Sequence, residues 1–310
     1  ACANAMREAK GDLLVSLGGG STTDGGKAVT ICLKHGISDI NGMEAYRTVV
    51  DETGKRHFPA YDAPDVRQIV VPTTLSAGEF NARAGVTNSA LRLKQGFVHP
   101  GIIPISVILD PAVTMLTPEW LFLSTGVRAV DHAVETYLSL DANAYYDGAC
   151  LQALRLLSEG LPRVKADPSD LDARLKCMMG AWMSMTGIIA GARLGASHAI
   201  GHILGGSAGV PHGHTSCIML PYVLEWNATV NGERQKEVAT AMGQAGTPAS
   251  EVLDSFIRDL GMPRSIHETG VEESDLPRLA ENCMLDDWTF SNPRTIKTPG
   301  EVMEILRLAY

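Results

Sequence analysis

The fold class follows from the stretch DLLVSLGGGSTTDGGK at residues 12–27. Its first six residues form a short apolar run, which is typical of a strand buried in a parallel sheet. A glycine turn follows and opens a helix, where backbone N–H groups and a partial positive charge can receive a pyrophosphate. The stretch matches neither GxGxxG nor the Walker pattern, so a plain strand-to-helix turn is the competing interpretation.

Outward from this unit, the chain divides into two regions of different pattern. Apolar runs predict two more parallel strands at 67–74 and 106–110, with a hairpin-like segment between them, whereas helical spacing dominates after Pro118. We therefore expect an α/β dinucleotide-binding domain over 1–113 and an all-helical domain over 114–310. The first residues resemble the end of a helix entering a strand, so we expect the opening strands of the α/β domain to be missing.

The second predicted strand ends in consecutive hydroxyl side chains. Open α/β sheets bind ligands at the carboxyl ends of their strands. Thr73, Thr74 and Ser76 are therefore predicted nucleotide contacts. Lys94 could neutralise a phosphate, although an exposed lysine is more often only solvated surface.

Composition limits the class of protein. The 310 residues are 45% hydrophobic with a formal charge of −9, so a large core is available and a nucleic-acid partner is not expected. The six cysteines form no CxxC pair, which argues against a zinc ribbon or a disulfide framework and favours the cytoplasm. The sequence has neither a run of about 20 apolar residues nor a secretory leader, so we expect no membrane span.

A second informative stretch is GASHAIGHILGGSAGVPHGH at residues 195–214, which contains four histidines. His198 and His202 share one helix face, and His212 begins the next predicted helix. With His132 on an earlier helix, these side chains are candidates for one pocket and for metal ligation. A single helical histidine is more often a hydrogen-bonded core or surface residue.

Taken together, several motifs resemble the iron-containing (group III) alcohol dehydrogenases over residues 12–310. The motifs are GGGSTTDGGK, VPTTLSAGEF, LDPAVT, GVRAVDHAVETY, HAIGHILGG, VPHGH and NPRTI. The resemblance implies a dehydroquinate synthase-like architecture, with an α/β domain that binds NAD or NADP and a helical domain that carries the substrate or metal site. It also implies at least a homodimer.

The resemblance assigns two sets of residues. It places the pyrophosphate turn on Gly18, Gly19, Gly20 and Ser21, its continuation on Asp24 and Lys27, the threonine pair on Thr73 and Thr74, and the cofactor-side lysine on Lys94. Metal-binding members of the family use one aspartate and three histidines to hold iron or zinc. The three histidines fall on His132, His198 and His212, and His202 matches a further histidine that lines the pocket.

The aspartate of that metal site has no counterpart, because position 128 is arginine. A guanidinium cannot ligate a cation and repels it, and Asp131 points about 100° away from His132. This departure resembles the maleylacetate reductase branch, whose members work without the metal on a dicarboxylate keto acid. Arg128 could grip a substrate carboxylate, or it could pair with Asp131 or Glu135 on its own helix.

We therefore predict an NAD(P)-dependent oxidoreductase that moves a hydride between nicotinamide and a small carbonyl, alcohol or unsaturated keto acid. Arg128, His198 and His202 are the predicted catalytic residues, and the substrate is expected to be anionic. The alternative is an alcohol dehydrogenase dependent on iron or zinc. More distant alternatives are a dehydroquinate synthase-like lyase and a non-catalytic nucleotide-binding protein.

Overall fold

The structure is a computed structural model that describes residues 1–50, 56–88 and 93–310, and it does not describe the side chains of residues 50, 56, 93 and 94. It divides into two compact units, Ala1–Leu116 and Thr117–Tyr310. The elements of the N-terminal unit are α1 (Cys2–Glu8), β1 (Leu13–Gly18), α2 (Gly20–Lys34), β2 (Val49–Val50), β3 (Arg56–His57), β4 (Arg67–Pro72), β5 (Arg83–Asn88), β6 (Leu93–Val98), β7 (Ser106–Val107) and α3 (Pro111–Thr114).

The centre of the N-terminal unit is a three-stranded parallel sheet of order β1-β4-β7. Its register pairs Leu13 with Arg67 and Gly18 with Pro72, so β1 and β4 end side by side. The predicted hairpin is the antiparallel pair β5–β6. Since the carboxyl ends of parallel strands are where such sheets bind ligands, the glycine turn and the segment after β4 occupy the expected edge.

One expectation for β1 is wrong. The strand was predicted to be buried, yet Leu13, Val15 and Leu17 are 42%, 59% and 60% exposed. The physical reason is that β1 lies at the edge of the sheet and α2 packs on one face only, the face that carries Ser16. The alternating pattern is that of a half-buried strand.

The C-terminal unit is helical, as the sequence predicts. Its helices are α4 (Glu119–Leu138), α5 (Ala144–Ala166), α6 (Leu171–Ser184), α7 (Thr186–Ile189), α8 (Ala196–Ala208), α9 (His212–Ala241), α10 (Ala249–Asp259), α11 (Leu276–Cys283) and α12 (Pro299–Leu308). A short 3-10 turn, Asp287–Thr289, lies between the last two helices. In the described part of the chain, no helix has both the length and the apolar character that crossing a membrane requires.

Helix α4 is the structural centre of this unit, because every side chain from Phe122 to Leu138 is buried. Two glycines allow neighbouring helices to come close. A Cβ on Gly213 of α9 would lie 2.5 Å from Ser124 Oγ of α4, and a Cβ on Gly201 of α8 would lie 2.9 Å from Thr215 Oγ1 of α9. The close packing brings the polar side chains of α4, α8 and α9 into one interior cluster.

Candidate functional site

The glycine turn of the N-terminal unit lies against the segment that follows β4. Gly18 has φ +155°, in the region that favours glycine, and Gly19 is the N-cap of α2. A Cβ on Gly19 would lie 2.9 Å from Cγ2 of Thr74, and one on Gly20 would lie 2.7 Å from Oγ of Ser76. The turn and the two hydroxyl side chains therefore form one cradle, in which the N-terminus of α2 presents its free N–H groups.

Four further predicted cofactor contacts belong to the same unit. Ser21 is exposed in the first turn of α2, and the backbone N–H of Thr73 donates to the carbonyl of Gly18 at 3.0 Å. Asp24 accepts a hydrogen bond from the backbone N–H of Gly85 at 2.9 Å, so its carboxylate also ties α2 to β5. Lys94 lies opposite Thr87 in the β5–β6 hairpin, and its side chain is outside the described part of the chain.

In the C-terminal unit, Arg128 is a buried cation on α4. It is 4% exposed, and Nη1 donates to Oγ of Ser216 at 2.9 Å. Within the described residues this is the one hydrogen bond of a group with five N–H donors. Ser216 also hydrogen-bonds the Asp131 carboxylate, so a hydroxyl bridges the cation and the anion. Burial lowers the pKa of Arg128, and the charges of Asp131 and Glu135 oppose that effect.

Glu135 joins α4 to the start of α8. Its carboxylate accepts backbone N–H groups from Gly195, Ser197 and His198 at 3.2, 2.9 and 3.2 Å, at a helix end that has no side-chain cap of its own. A Cβ on Gly195 would lie 3.0 Å from Oε1 of Glu135, so glycine is needed for this approach. Burial, followed by the charge of Asp131, raises the pKa of Glu135. The carboxylate thus satisfies the helix terminus from another element.

The same carboxylate orients His198. Nδ1 of His198 lies 2.8 Å from Oε2 of Glu135 and 3.4 Å from Oδ2 of Asp131. Because Oε2 of Glu135 already accepts the backbone N–H groups of Gly195 and His198, it acts as an acceptor, and we assign the proton to Nδ1 and the lone pair to Nε2. Burial, and then the Arg128 cation, hold the pKa of His132 and His198 well below the ordinary value. Both imidazoles are therefore neutral near pH 7.

The predicted histidines follow one another through ring contacts. The centroids of His132 and His198 are 5.0 Å apart, those of His198 and His202 are 6.5 Å apart, and those of His202 and His212 are 6.1 Å apart. His198 is buried, whereas the side chain of His202 is 34% exposed and His212 is exposed. The series runs from the Arg128 cluster to the surface of the C-terminal unit.

Sequence reasoning missed two residues at the outer end of this series. Nδ1 of His202 lies 2.9 Å from Oδ2 of Asp286, and the ring of Trp288 lies 5.1 Å from that of His202. The other oxygen of Asp286 accepts the backbone N–H of Trp288 at 3.0 Å, which fixes the carboxylate. The partners are 84 positions apart in the chain, so spacing gave no signal. The nearby NPRTI motif was the available hint, but it did not single out Asp286 or Trp288.

The described residues offer one group that could approach a metal ion. Asp131, Glu135 and His198 each have a ligand atom within 4.8 Å of the other two. This group shares only His198 with the predicted ligands His132, His198 and His212. Nitrogen and oxygen atoms of this kind are ligands for zinc or iron.

Three observations argue that these residues do not fit such an ion. Nδ1 of His198, which faces the carboxylates, is occupied by its bond to Glu135. The Glu135 oxygens also hold the α8 backbone, and Ser197 Oγ donates to Asp131 at 2.8 Å. Arg128 supplies a positive charge to the same two carboxylates, so a dication here would stand beside a buried cation. The arrangement is therefore an arginine–carboxylate–histidine cluster whose residues, as they are bonded here, do not fit such an ion.

Comparisons with known proteins cover both units. The iron-containing alcohol dehydrogenase model matches residues 1–111, and the C-terminal model of the Fe-containing alcohol dehydrogenase family matches residues 122–310. The 1,3-propanediol dehydrogenase of Klebsiella pneumoniae is 32% identical over 319 residues, covering 98% of this chain and 78% of that protein. The maleylacetate reductase of Rhizobium sp. strain MTP-10005 is 33% identical over 278 residues, covering 89% and 68%.

Solved structures give the same result. The crystal structure of maleylacetate reductase from Rhizobium sp. strain MTP-10005 has a TM-score of 0.81 and 28% identity, and the match covers 100% of this chain and 77% of that one. The structure of a 1,3-propanediol oxidoreductase has a TM-score of 0.86 and 31% identity, covering 99% and 79%. Both the predicted fold class and the predicted family resemblance are confirmed.

Proposed function

Because this chain belongs to the iron-containing alcohol dehydrogenase family, we propose that its reaction is the reduction of a small anionic keto acid by NADH or NADPH. The family and its relatives make the chain an NAD(P)-dependent oxidoreductase. The observation that carries the finer assignment is Arg128, a buried guanidinium at the position that the resemblance gives to the metal-binding aspartate. Dicarboxylate keto acids such as maleylacetate are the substrate class that this residue favours.

The role of Arg128 is to bind a substrate carboxylate. Only Nη1 is used by the described protein, in the bond to Ser216, so the remaining N–H groups can form a bidentate pair with a carboxylate. Ser216 holds the guanidinium through this hydrogen bond, and its hydroxyl also bonds the Asp131 carboxylate. An ion pair formed in so buried a place discriminates strongly against neutral substrates, because a neutral group would leave the cation desolvated and unpaired.

His202 is the proposed proton donor. Its Nδ1 is held by Asp286, which leaves Nε2 to protonate the substrate, and its partial exposure allows the proton to be replaced from water. His198 is less suited, because it is 1% exposed and its pKa is held well below the ordinary value. His198 instead presents a fixed Nε2 lone pair that can accept a hydrogen bond from the hydroxyl formed when the substrate's carbonyl oxygen is protonated.

The hydride and the proton that the reduction requires come from two different groups. A reduced nicotinamide held by the N-terminal unit would supply the hydride for an electrophilic carbon of the keto acid and would leave as NAD(P)⁺. The electron pair displaced onto the carbonyl oxygen is protonated by His202. The pyrophosphate of the nucleotide is assigned to the cradle of Gly18, Gly19, Gly20 and Ser21, with Thr74 and Ser76 on its other side.

The proposal also includes the cellular location and the oligomeric state. A cytoplasmic location is supported by the six cysteines, all of which are free thiols. The homodimer stays a prediction from the family resemblance.

A substrate panel tests the proposed function. Protein of measured metal content is mixed with NADH or NADPH, and nucleotide oxidation is followed with maleylacetate, other keto acids and neutral aldehydes. We expect turnover of keto acids by metal-free protein. Stoichiometric iron or zinc that is lost together with activity on chelation would contradict the arginine assignment and support a metal-dependent alcohol dehydrogenase.

A further inference from the structure

Lys27 is a fully buried lysine on α2, two turns after the glycine cradle. Its side chain is 0% exposed, and Nζ lies 2.6 Å from the carbonyl oxygen of Gly78, 2.9 Å from that of Asn81 and 2.7 Å from that of Arg83. An ammonium group has three N–H donors, and these three carbonyls use all of them. The lysine therefore has no proton left to donate to a phosphate.

The three carbonyls belong to the segment that continues from the hydroxyl side of the cradle. Residues 78–83 come shortly after Thr74 and Ser76, whose side chains lie against Gly19 and Gly20. The connection passes through Ala77, whose φ of +59° lies in the left-handed region that non-glycine residues avoid. Such a conformation persists only when surrounding contacts hold it, and Lys27 supplies three of them.

A second residue of the same helix also holds this part of the chain. Asp24, one turn before Lys27, accepts the backbone N–H of Gly85 at 2.9 Å and lies 3.8 Å from Lys27 Nζ. The helix that begins at the glycine turn thus fixes both the start of β5 and the segment before it.

We propose that Lys27 is a positioning residue for the nucleotide site: its ammonium group sets the distance between Gly19 and Gly20 on one side and Thr74 and Ser76 on the other. It does so without touching the cofactor. This inference rests on the proposed nucleotide role of the cradle. Saturable binding of NADH or NADPH to the unaltered protein tests that role separately.

The test compares Lys27→Met with Lys34→Met, a control on the same helix whose half-buried lysine pairs with the exposed Asp65 at 3.0 Å. Two quantities are measured: the Kd for NADH or NADPH, and the amide hydrogen exchange of residues 78–85 without nucleotide. We expect Lys27→Met to weaken binding by about tenfold or more and to speed exchange in the free protein, while Lys34→Met changes neither.

Each other outcome overturns the proposal. An unchanged Kd means that Lys27 does not control the cradle. A weaker Kd with unchanged exchange in the free protein means that Lys27 contacts the nucleotide directly. If Lys27→Met fails to fold, both measurements are made on Lys27→Arg, whose planar fork cannot meet three converging carbonyls, and a Kd equal to that of the unaltered protein contradicts the inference.

Discussion

Arg128 and Ser216 are joined by a buried hydrogen bond of 2.9 Å that connects α4 to α9. The same hydroxyl bonds Asp131, so the cation and the carboxylate of one helix are bridged by a side chain of another. Helix-surface spacing suggested a direct pair of Arg128 with Asp131 or Glu135, and the structure places a serine between the opposite charges instead. A bridged pair keeps most of the guanidinium available to a ligand.

Ser216→Ala removes this bridge. We expect the free energy of unfolding to fall by about 1–3 kcal/mol, because two buried charged groups lose a hydrogen bond. We also expect KM for the keto acid to rise while kcat changes less, since Arg128 is then less well oriented. Ser184→Ala is the control: this serine is equally buried but bonds only the carbonyl of Ala181 in its own helix. Equal effects of the two changes would contradict a special role for Ser216.

Asp286→Asn tests the assignment of His202. The amide can still accept a hydrogen bond from Nδ1, but it no longer stabilises a positive imidazole, so we expect kcat to fall by about tenfold or more with little change in KM. The neighbouring carboxylate of Asp287 provides the control, as Asp287→Asn. Steady-state kinetics with saturating nucleotide measure both, and a loss confined to KM would contradict the proton-donor role.

Arg128→Asp restores the charge that the metal-binding members carry. Three buried carboxylates would then repel one another, so we expect the variant to be less stable than the unaltered protein without metal and to gain stability when zinc is added. Thermal unfolding with zinc and with a chelator measures this. Arg155→Asp, on the exposed surface of α5, controls for the change of charge. If zinc stabilises Arg128→Asp no more than it stabilises the control, the account of the metal site is wrong.

The pH dependence of stability offers a test at Glu79, which lies in the segment held by Lys27. Burial raises the pKa of this 3% exposed carboxyl to about 7. A raised pKa in the folded state means that the stabilising effect of protonation is complete below the unfolded pKa near 4.5 and is lost as the pH rises through about 7. Glu79→Gln should therefore be more stable than the unaltered protein above pH 7, by at most about 3 kcal/mol.

Urea unfolding at pH 5 and pH 8 measures this difference. The unaltered protein is expected to lose stability between the two values, and Glu79→Gln to lose less. Glu273→Gln, an exposed carboxyl, is the control. Parallel pH profiles for all three proteins would show that Glu79 is not the group responsible.

Local patterns were enough to predict which residues form the cradle at the glycine turn. The glycine turn, the hydroxyls of Thr74 and Ser76 and the start of α2 are sequence-local features that the sheet register then brings together. The cluster around Arg128 depends on contacts between distant positions. Glu135 contacts His198, which lies 63 positions later in the chain, and no spacing rule predicts such a pair.

A kink in one helix is also marked locally. Asn231 and Gly232 are turn-forming residues, and α9 (His212–Ala241) has a kink at Asn231, whose φ of −133° and ψ of 20° lie outside helical geometry. The turn-forming residues therefore indicate the position of the kink.

The central claim is that Arg128 selects a carboxylate, and the most direct measurement is the ratio of kcat/KM for a keto acid to kcat/KM for a neutral aldehyde in Arg128→Met. With Arg155→Met as the control and saturating nucleotide, we predict that the ratio falls by about 10- to 100-fold, the loss expected when a charged hydrogen-bonded pair is removed. An unchanged ratio, or an unaltered protein that prefers the neutral aldehyde, would contradict the claim.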